Sequence, residues 1–274
     1  NKKSPNPITL LSVVPNNEQA EKNLLVARKN LEQTRRIASA TETNVNVIAS
    51  IDHNVASGIV RTSKEIMADT IILDWPEKTR IIDKVFGEKS ESILSNTDKN
   101  VFISQPKKLL AGHKRILIFC PPLAELEKGF SGWLEHVTRL SKELTVPVIC
   151  YANEKTQRDI QLYCEREKAG VVSFRLFDAW QDFLVLSKDI NPDDILIAVL
   201  ARRGSVSHQW ILESIPPKLD KYFKSNTKIL IYPRQYDYDN KFDEYEDINA
   251  ESLAKGVKTI KKIGIGIGNI FKNK

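Results

Sequence analysis

The sequence predicts an α/β fold, two tandem Rossmann-like units each built on a parallel sheet. Three observations predict it. Short β-branched runs without polar alternation, such as TIILD at residues 70–74, RILIF at 115–119 and DILIAVL at 194–200, suit strands covered on both faces. Stretches with helical apolar spacing lie between them. The run order also repeats: ITLL pairs with VPVIC, NVNVIAS with VVSFRLF, TIILD with DILIA and NVFIS with KILIY, at offsets of about 125–140 residues. RILIF has no partner, and its counterpart would lie roughly 20 residues ahead of Asn1. The expected organisation is therefore a first unit over residues 1–107 that lacks its first strand and helix, a second over 108–235, and a tail over 236–274. The chain reads as a piece of something longer.

Each element has its own reason. Residues 1–7 are polar and broken by proline, and ITLLSVV at 8–14 is a strand of buried type stopped by Pro15. Asn17 caps a helix with Ala20, Leu24, Ala27, Leu31 and Ile37 at helical spacing. NVNVIAS at 44–50 is a strand, and Asn54 caps a helix expected to turn Val55, Ile59, Ile66 and Met67 inward. Residues 68–106 form the most legible unit. There Ile71, Ile72 and Leu73 make a strand and Asp74 and Pro76 a loop; Ile81, Ile82, Val85, Phe86, Ile93 and Leu94 pattern a helix, and Val101, Phe102 and Ile103 close it. After Pro106 the order restarts. RILIF ends at Cys120-Pro121-Pro122, and helix 130–144 carries Trp133, Leu134, Val137 and Leu140 on one side. Strand 146–151, polar helix 154–168, strand 171–177, short helix 180–188, strand 194–200, helix 218–224 and strand 228–232 follow.

Hydrophobic residues make up 41% and charged residues 28% of the 274, ordinary for a soluble globular chain. No run reaches the roughly 18–20 apolar residues that span a bilayer, and no signal peptide is expected. Three cysteines, Cys120, Cys150 and Cys164, without close spacing point to a reducing compartment. The net charge of +6 is unevenly placed.

The stretch ASGIVRTSKEIMADTIILDWPEKTRIIDKVFGEKSESILSNTDKNVFIS at residues 56–104 resembles the last third of the universal stress protein family, in its helix, its AD-apolar entry to the strand and its closing VFI. The likeness extends over about residues 8–233, and implies five parallel strands and four helices per unit, doubly wound, with the last strands of the two units paired. In family members that bind ATP, a G-x-x-G-x9-G-[ST] spacing after the fourth strand lets backbone N–H groups reach the phosphates. Aligned on Gly87, this chain places Asp74 and Glu77 at the first two glycines and Glu88 at the phosphate-binding Ser or Thr. Carboxylates there repel phosphate, so the first unit is expected to bind no ATP. The second unit has Arg202-Arg203-Gly204-Ser205 in the loop, but Ile215-Pro216-Pro217-Lys218 replaces the third glycine and its partner. Cys120-Pro121-Pro122 stands where the family often has an aspartate that contacts adenosine. No cofactor is implied.

Arg202, Arg203, Gly204 and Ser205 form either an anion- or ligand-holding loop or a solvated turn. His53, His113, His136 and His208 lack ligand-type spacing and suit surface or cap positions. Cys120, at a strand end where open α/β sheets place ligands, reads as an inert buried thiol rather than a reactive one. Nothing patterns a catalytic set, so no enzyme is expected. The tail opens acidic and aromatic (YDYDNKFDEYED). Residues 251–274 then carry six lysines and one glutamate, with Leu253, Val257, Ile260, Gly264, Ile267 and Phe271 at helical spacing. That stripe suits an anionic membrane surface, a helix docked on the body, or a tail whose halves attract each other. Nucleic acid is not expected, because aromatic interleaving is absent.

Tandem units with a lost first glycine loop look like the cytoplasmic tails of bacterial cation/proton antiporters. The resemblance implies a non-enzymatic regulatory domain at the cytoplasmic face of the inner membrane. It would act through protein contacts or a small ligand, with the antiporter's own membrane domain as partner and with self-association of the stress-protein-like units. The alternative is a stand-alone stress protein binding a nucleotide at a remodelled site.

Overall fold

A computed structural model describes residues 7–40, 42–76 and 88–235. Tyr236–Lys274 is a unit of its own and lies outside the described residues, as do Glu77, Ile81, Ile82, Val85, Phe86 and Gly87. The expectations placed on those residues are therefore not addressed below.

The elements in order are β1 (Ile8–Pro15), α1 (Ala20–Ala40), β2 (Val45–Asp52), α2 (Val55–Glu65), β3 (Thr70–Asp74), α3 (Glu88–Asn96) and β4 (Asn100–Gln105). β5 (Arg115–Phe119), α4 (Phe130–Leu144), β6 (Val148–Ala152), α5 (Glu154–Arg166), β7 (Val172–Leu176), β8 (Asp194–Val199), α6 (Ile215–Tyr222) and β9 (Thr227–Tyr232) follow. Local chemistry sets the helix starts. The Asn54 side chain accepts from Ala56 N at 2.8 Å, and that of Asn153 from Thr156 N at 2.8 Å. Prolines occupy the first positions of α6, where a missing N–H costs nothing.

Seven strands form one sheet in the order β3-β4-β9-β8-β5-β6-β7. Neighbours run parallel except β4 and β9, which pair antiparallel from Val101↔Tyr232 to Gln105↔Lys228. From β5 the chain winds outward to β7, then returns to β8 and β9 on the other side, which is the doubly wound order. β1 and β2 form a separate parallel pair. The strands are buried because both faces are covered. On one face Trp133, Leu134 and Val137 of α4 and Ile160 of α5 pack on Ile116, Ile118, Ile197 and Val199. On the other, Trp180, Phe183, Ile215 and Leu219 pack on Leu117, Phe119, Leu196 and Leu230, and that cluster continues to Ile71, Val101 and Ile103. Each such side chain stabilises the fold by about 1.5–3 kcal/mol.

Four expectations are corrected. The inward face of α2 is Ala56, Val60 and Ser63 with the expected Ile59 packed beside them, whereas Ile66 and Met67 are 39% and 84% exposed. The helix stops at Glu65 and Met67 takes φ +51°, so both residues leave the helical phase. Trp180–Asp189 is 3-10 rather than α-helical, with a break at Asp182. Trp180 and Phe183 stand on either side of the break, and both enter the core. The helix expected to hold residues 218–224 runs from Ile215, behind a 3-10 turn over Trp210–Ser214, and ends at Tyr222, short of Lys224. β1 is not a buried strand: of its residues only Val14 is buried, because β1 has one strand neighbour.

Candidate functional site

The loop leaving β8 turns at Gly204, whose φ of +84° suits a residue without Cβ, and Ser205 N donates to Arg202 O at 3.1 Å. This turn sends its two arginines in different directions. The Arg202 guanidinium points inward and donates to the carbonyls of Leu94 (3.3 Å), Thr97 and Lys99. Leu94 lies in the last turn of α3, where carbonyls lack intrahelical partners and the macrodipole is negative. Burial lowers the Arg202 pKa to about 10, which leaves it charged at neutral pH. Arg203 points outward and is bidentate to Glu213, at 3.0 and 3.1 Å. That pair holds the Glu213 carboxyl below its usual range, and His208 Nε2 stands 3.5 Å away. The loop read as either an anion holder or a solvated turn thus has one arginine on backbone carbonyls and the other on a carboxylate. An incoming phosphate would compete with Glu213 for Arg203.

Around Arg202 lies a polar cluster that the sequence did not announce. Glu127, 5% exposed, accepts from Ser207 N (2.9 Å), Ser207 Oγ (2.5 Å) and Gln235 Nε2 (2.7 Å). A buried carboxylate is tolerable only when bonded in this way. Gln235 N donates to Asp98 O at 2.8 Å and Arg234 N to Asn100 Oδ1 at 2.8 Å. Gly129 N donates to Arg234 O at 3.1 Å, and a Cβ on Gly129 would stand 2.1 Å from Arg234 N. These bonds fasten the α3–β4 corner to three loops, at 127–129, 202–207 and 234–235. Their partners are separated by up to 134 residues in sequence, so no local spacing could have revealed them.

The other positions aligned with the nucleotide loops are described in part. Asp74 ends β3 exposed, Glu88 opens α3, and Glu77 and Gly87 lie outside the described residues. Cys120 is fully buried, and burial pushes its thiol pKa well up, consistent with an inert thiol. After Pro121-Pro122, the side chain of Glu125 accepts from Thr156 Oγ1 at 2.7 Å and sits 3.4 Å from Lys155 Nζ. A carboxylate therefore covers the first turn of α5, beside the strand ends where an open sheet takes phosphate.

Two depressions lie elsewhere. One of about 700 Å³ is lined by Lys108, Lys114, Arg115, Asn191, Asp193 and Asp194, and one of about 480 Å³ by Lys107, Pro217, Asp220, Lys221, Lys224 and Lys228. Arg115 forks onto Asp194 at 2.8 and 2.6 Å. That pair was findable, since the two residues open adjacent strands in register. His113 is a buried cap, bonded to Leu110 O (3.1 Å) and Thr227 Oγ1 (2.8 Å). Among the described residues no group of three His, Cys, Asp or Glu is placed to hold a metal, and no helix is long and apolar enough to cross a membrane.

No family model matches the chain, and no curated protein does. Among solved structures it is similar to a universal stress protein of Archaeoglobus fulgidus, with TM-score 0.57 and 15% identity, over 86% of this chain and 90% of that one. A candidate universal stress protein of Pseudomonas aeruginosa gives TM-score 0.54 and 9% identity, over 83% of each chain. Against the cytoplasmic domain of a prokaryotic cation chloride cotransporter the TM-score is 0.47 at 11% identity, over 82% and 85%, too loose to support an inference. At these identities the likeness speaks to the fold alone: a universal-stress-protein-like, Rossmann-type α/β architecture.

Proposed function

We propose that the chain is two tandem stress-protein-like units, the first without its first strand and helix. Together they would form the non-enzymatic regulatory domain of a bacterial cation/proton antiporter, on the cytoplasmic side. The two-unit reading is supported by repeated pairing: β1 with β2 as β6 with β7, and β3 with β4 as β8 with β9, all parallel. The observation that carries the regulatory reading is the state of the nucleotide positions. Glu125 and Asp74 put negative charge there, and Arg202 is committed to the end of α3. The transporter setting rests on the resemblance of such tandem units to antiporter tails. The partner is the antiporter's own membrane domain, and the Arg202–Glu127 cluster is the joint through which one unit's movement reaches the other. A domain of this kind biases transport only if it binds two transporter states with different affinity.

The experiment is a thermal-shift titration with ATP, AMP, NAD and cyclic dinucleotides at millimolar concentration, paired with transport by the intact antiporter in vesicles. A ligand at tenfold its Kd stabilises the native state by about 1.4 kcal/mol, a rise in Tm of about 3–6 °C for a domain this size. The regulatory reading expects no shift, and an altered pH dependence of transport in Arg202→Met. A shift with a nucleotide would instead favour the stand-alone stress protein with a remodelled site.

A further inference from the structure

A parallel strand inside a sheet has two neighbours, and β5 shows what that means here. It bonds β8 on one side, from Arg115↔Asp194, and β6 on the other, from Ile116↔Val148. Ile116, Leu117, Ile118 and Phe119 are all 0% exposed. Among the described residues of the preceding half, the flanking pairs exist without a strand between them. β1 bonds β2 alone, and β3 bonds β4 alone. α2 crosses from β2 to β3, packs on β1 and β2, and shares an apolar cluster with Leu73 of β3. Among the described residues, the edges of β1 and β3 therefore lie under one helix with no ladder between them.

The side chains there carry the mark of an unfilled place. The registers Thr70↔Asn100 and Ile195↔Thr227 put Ile72 where β8 has Ile197. Ile197 is 0% exposed and Ile72 is 73% exposed. Ile72 stands opposite Phe102, on the face that α4 covers elsewhere with Trp133, Leu134 and Val137. The missing cover is thus a strand together with the helix that follows it.

We propose that the edges of β1 and β3 form an acceptor slot for one added strand–helix segment, entering parallel to both. The occupant is of stated chemistry: about five β-branched or aliphatic residues without alternation, as in Arg115–Phe119, then an amphipathic helix whose apolar face closes over Ile72. Backbone N–H and C=O groups on both edges bind the strand, and the face around Ile72 binds the helix. This inference rests on the two-unit part of the proposal above and not on the transporter part, so its failure leaves the transporter part standing.

The sequence supplies its own probe. Pro7-Ile8 opens β1 as Pro147-Val148 opens β6, so a second copy of residues 109–146 fused directly ahead of Pro7 reproduces the connection from β5 to β6. Hydrogen exchange of the full chain is read with and without this copy. Alternate amides of Ile8–Pro15 and Thr70–Asp74 are expected to exchange at least about tenfold more slowly in the fusion, which stays monomeric. Ile116→Asn, Leu117→Asn and Ile118→Asn in the added copy alone are expected to abolish the gain. Ile72→Lys is expected to abolish it too while leaving the Tm of the unfused chain unchanged, because that side chain is exposed. Where the fusion misfolds, shown by lost protection in β8, the same segment is added as a separate peptide with the same expectation. Unchanged exchange at both edges under both deliveries would overturn the proposal. So would an unfused chain that dimerises and already protects both edges, for then a second copy is the occupant.

Discussion

Two isoleucines at equivalent places, Ile72 and Ile197, have opposite surroundings. Each is the third residue in its strand-pair register and faces the same side of its sheet, yet one is 73% exposed and the other 0%. The contrast extends to whole strands. β8 is buried at all six positions, whereas β3 is buried only at Ile71, and β1 only at Val14. The residue types are alike, so composition does not explain the difference. Neighbours do: β8 has strands on both sides and helices on both faces, while β3 has one strand neighbour among the described residues, and His136 of α4 reaches its Ile72 face at Thr70, 3.2 Å away, and leaves Ile72 itself exposed. An apolar run states that a strand can be buried; the strand beside it decides whether it is.

The largest expected effect follows from that pair. Ile197→Ala leaves a cavity in a packed face and is expected to lose about 2–5 kcal/mol, whereas Ile72→Ala should stay within about 0.5 kcal/mol. Urea unfolding of both variants measures it, and equal losses would show the two halves to be packed alike. The buried arginine of the 202–205 loop comes next. Arg202→Met strips three carbonyls of a charged donor in a buried place, and a loss of about 1.5–3 kcal/mol is expected by the same assay.

A smaller effect is read from pH. Burial raises the phenol pKa of Tyr232, in the strand that meets β4, above its usual 10. Above pH 10 the unfolded chain gives up this proton and the native chain keeps it. The native state then binds more protons, and stability falls as pH rises, by at most about 1.4 kcal/mol per unit. Tyr232→Phe is expected to remove this part of the alkaline slope in unfolding series between pH 9 and 11. The smallest effect belongs to the exposed pair beside the joint. Arg203→Ala, losing only Glu213 at the surface, should change stability by no more than about 0.5 kcal/mol.

Much of the fold was legible because it is written locally. RILIF, DILIA and KILIY each announce a strand by β-branching without alternation, and Asn54 announces a helix start by its side-chain acceptor. Ile66 and Met67 misled because they continue the helical spacing past the point where the backbone turns away. The short helix expected over 180–188 is a 3-10 segment broken at Asp182, a difference in backbone period that a stretch of ten residues does not announce. The candidate site was the least legible part. Arg202 and Arg203 are adjacent and chemically identical in sequence, but one finds helix-end carbonyls more than a hundred residues away and the other a carboxylate ten residues on. Glu127, Ser207 and Gln235 carry no shared spacing at all, and it is the parallel order β9-β8-β5 that brings the loops leaving those strands together.

Native-state hydrogen exchange of the unmodified chain, resolved to single amides, bears most directly on the difference between the halves. Amides of β5 and β8 are expected to exchange only through global unfolding, while the edge-facing alternate amides of β1 and β3 exchange through local opening, faster by orders of magnitude. Equal protection in all four strands would mean that both edges are already paired, and would contradict a first sheet with an open place in it.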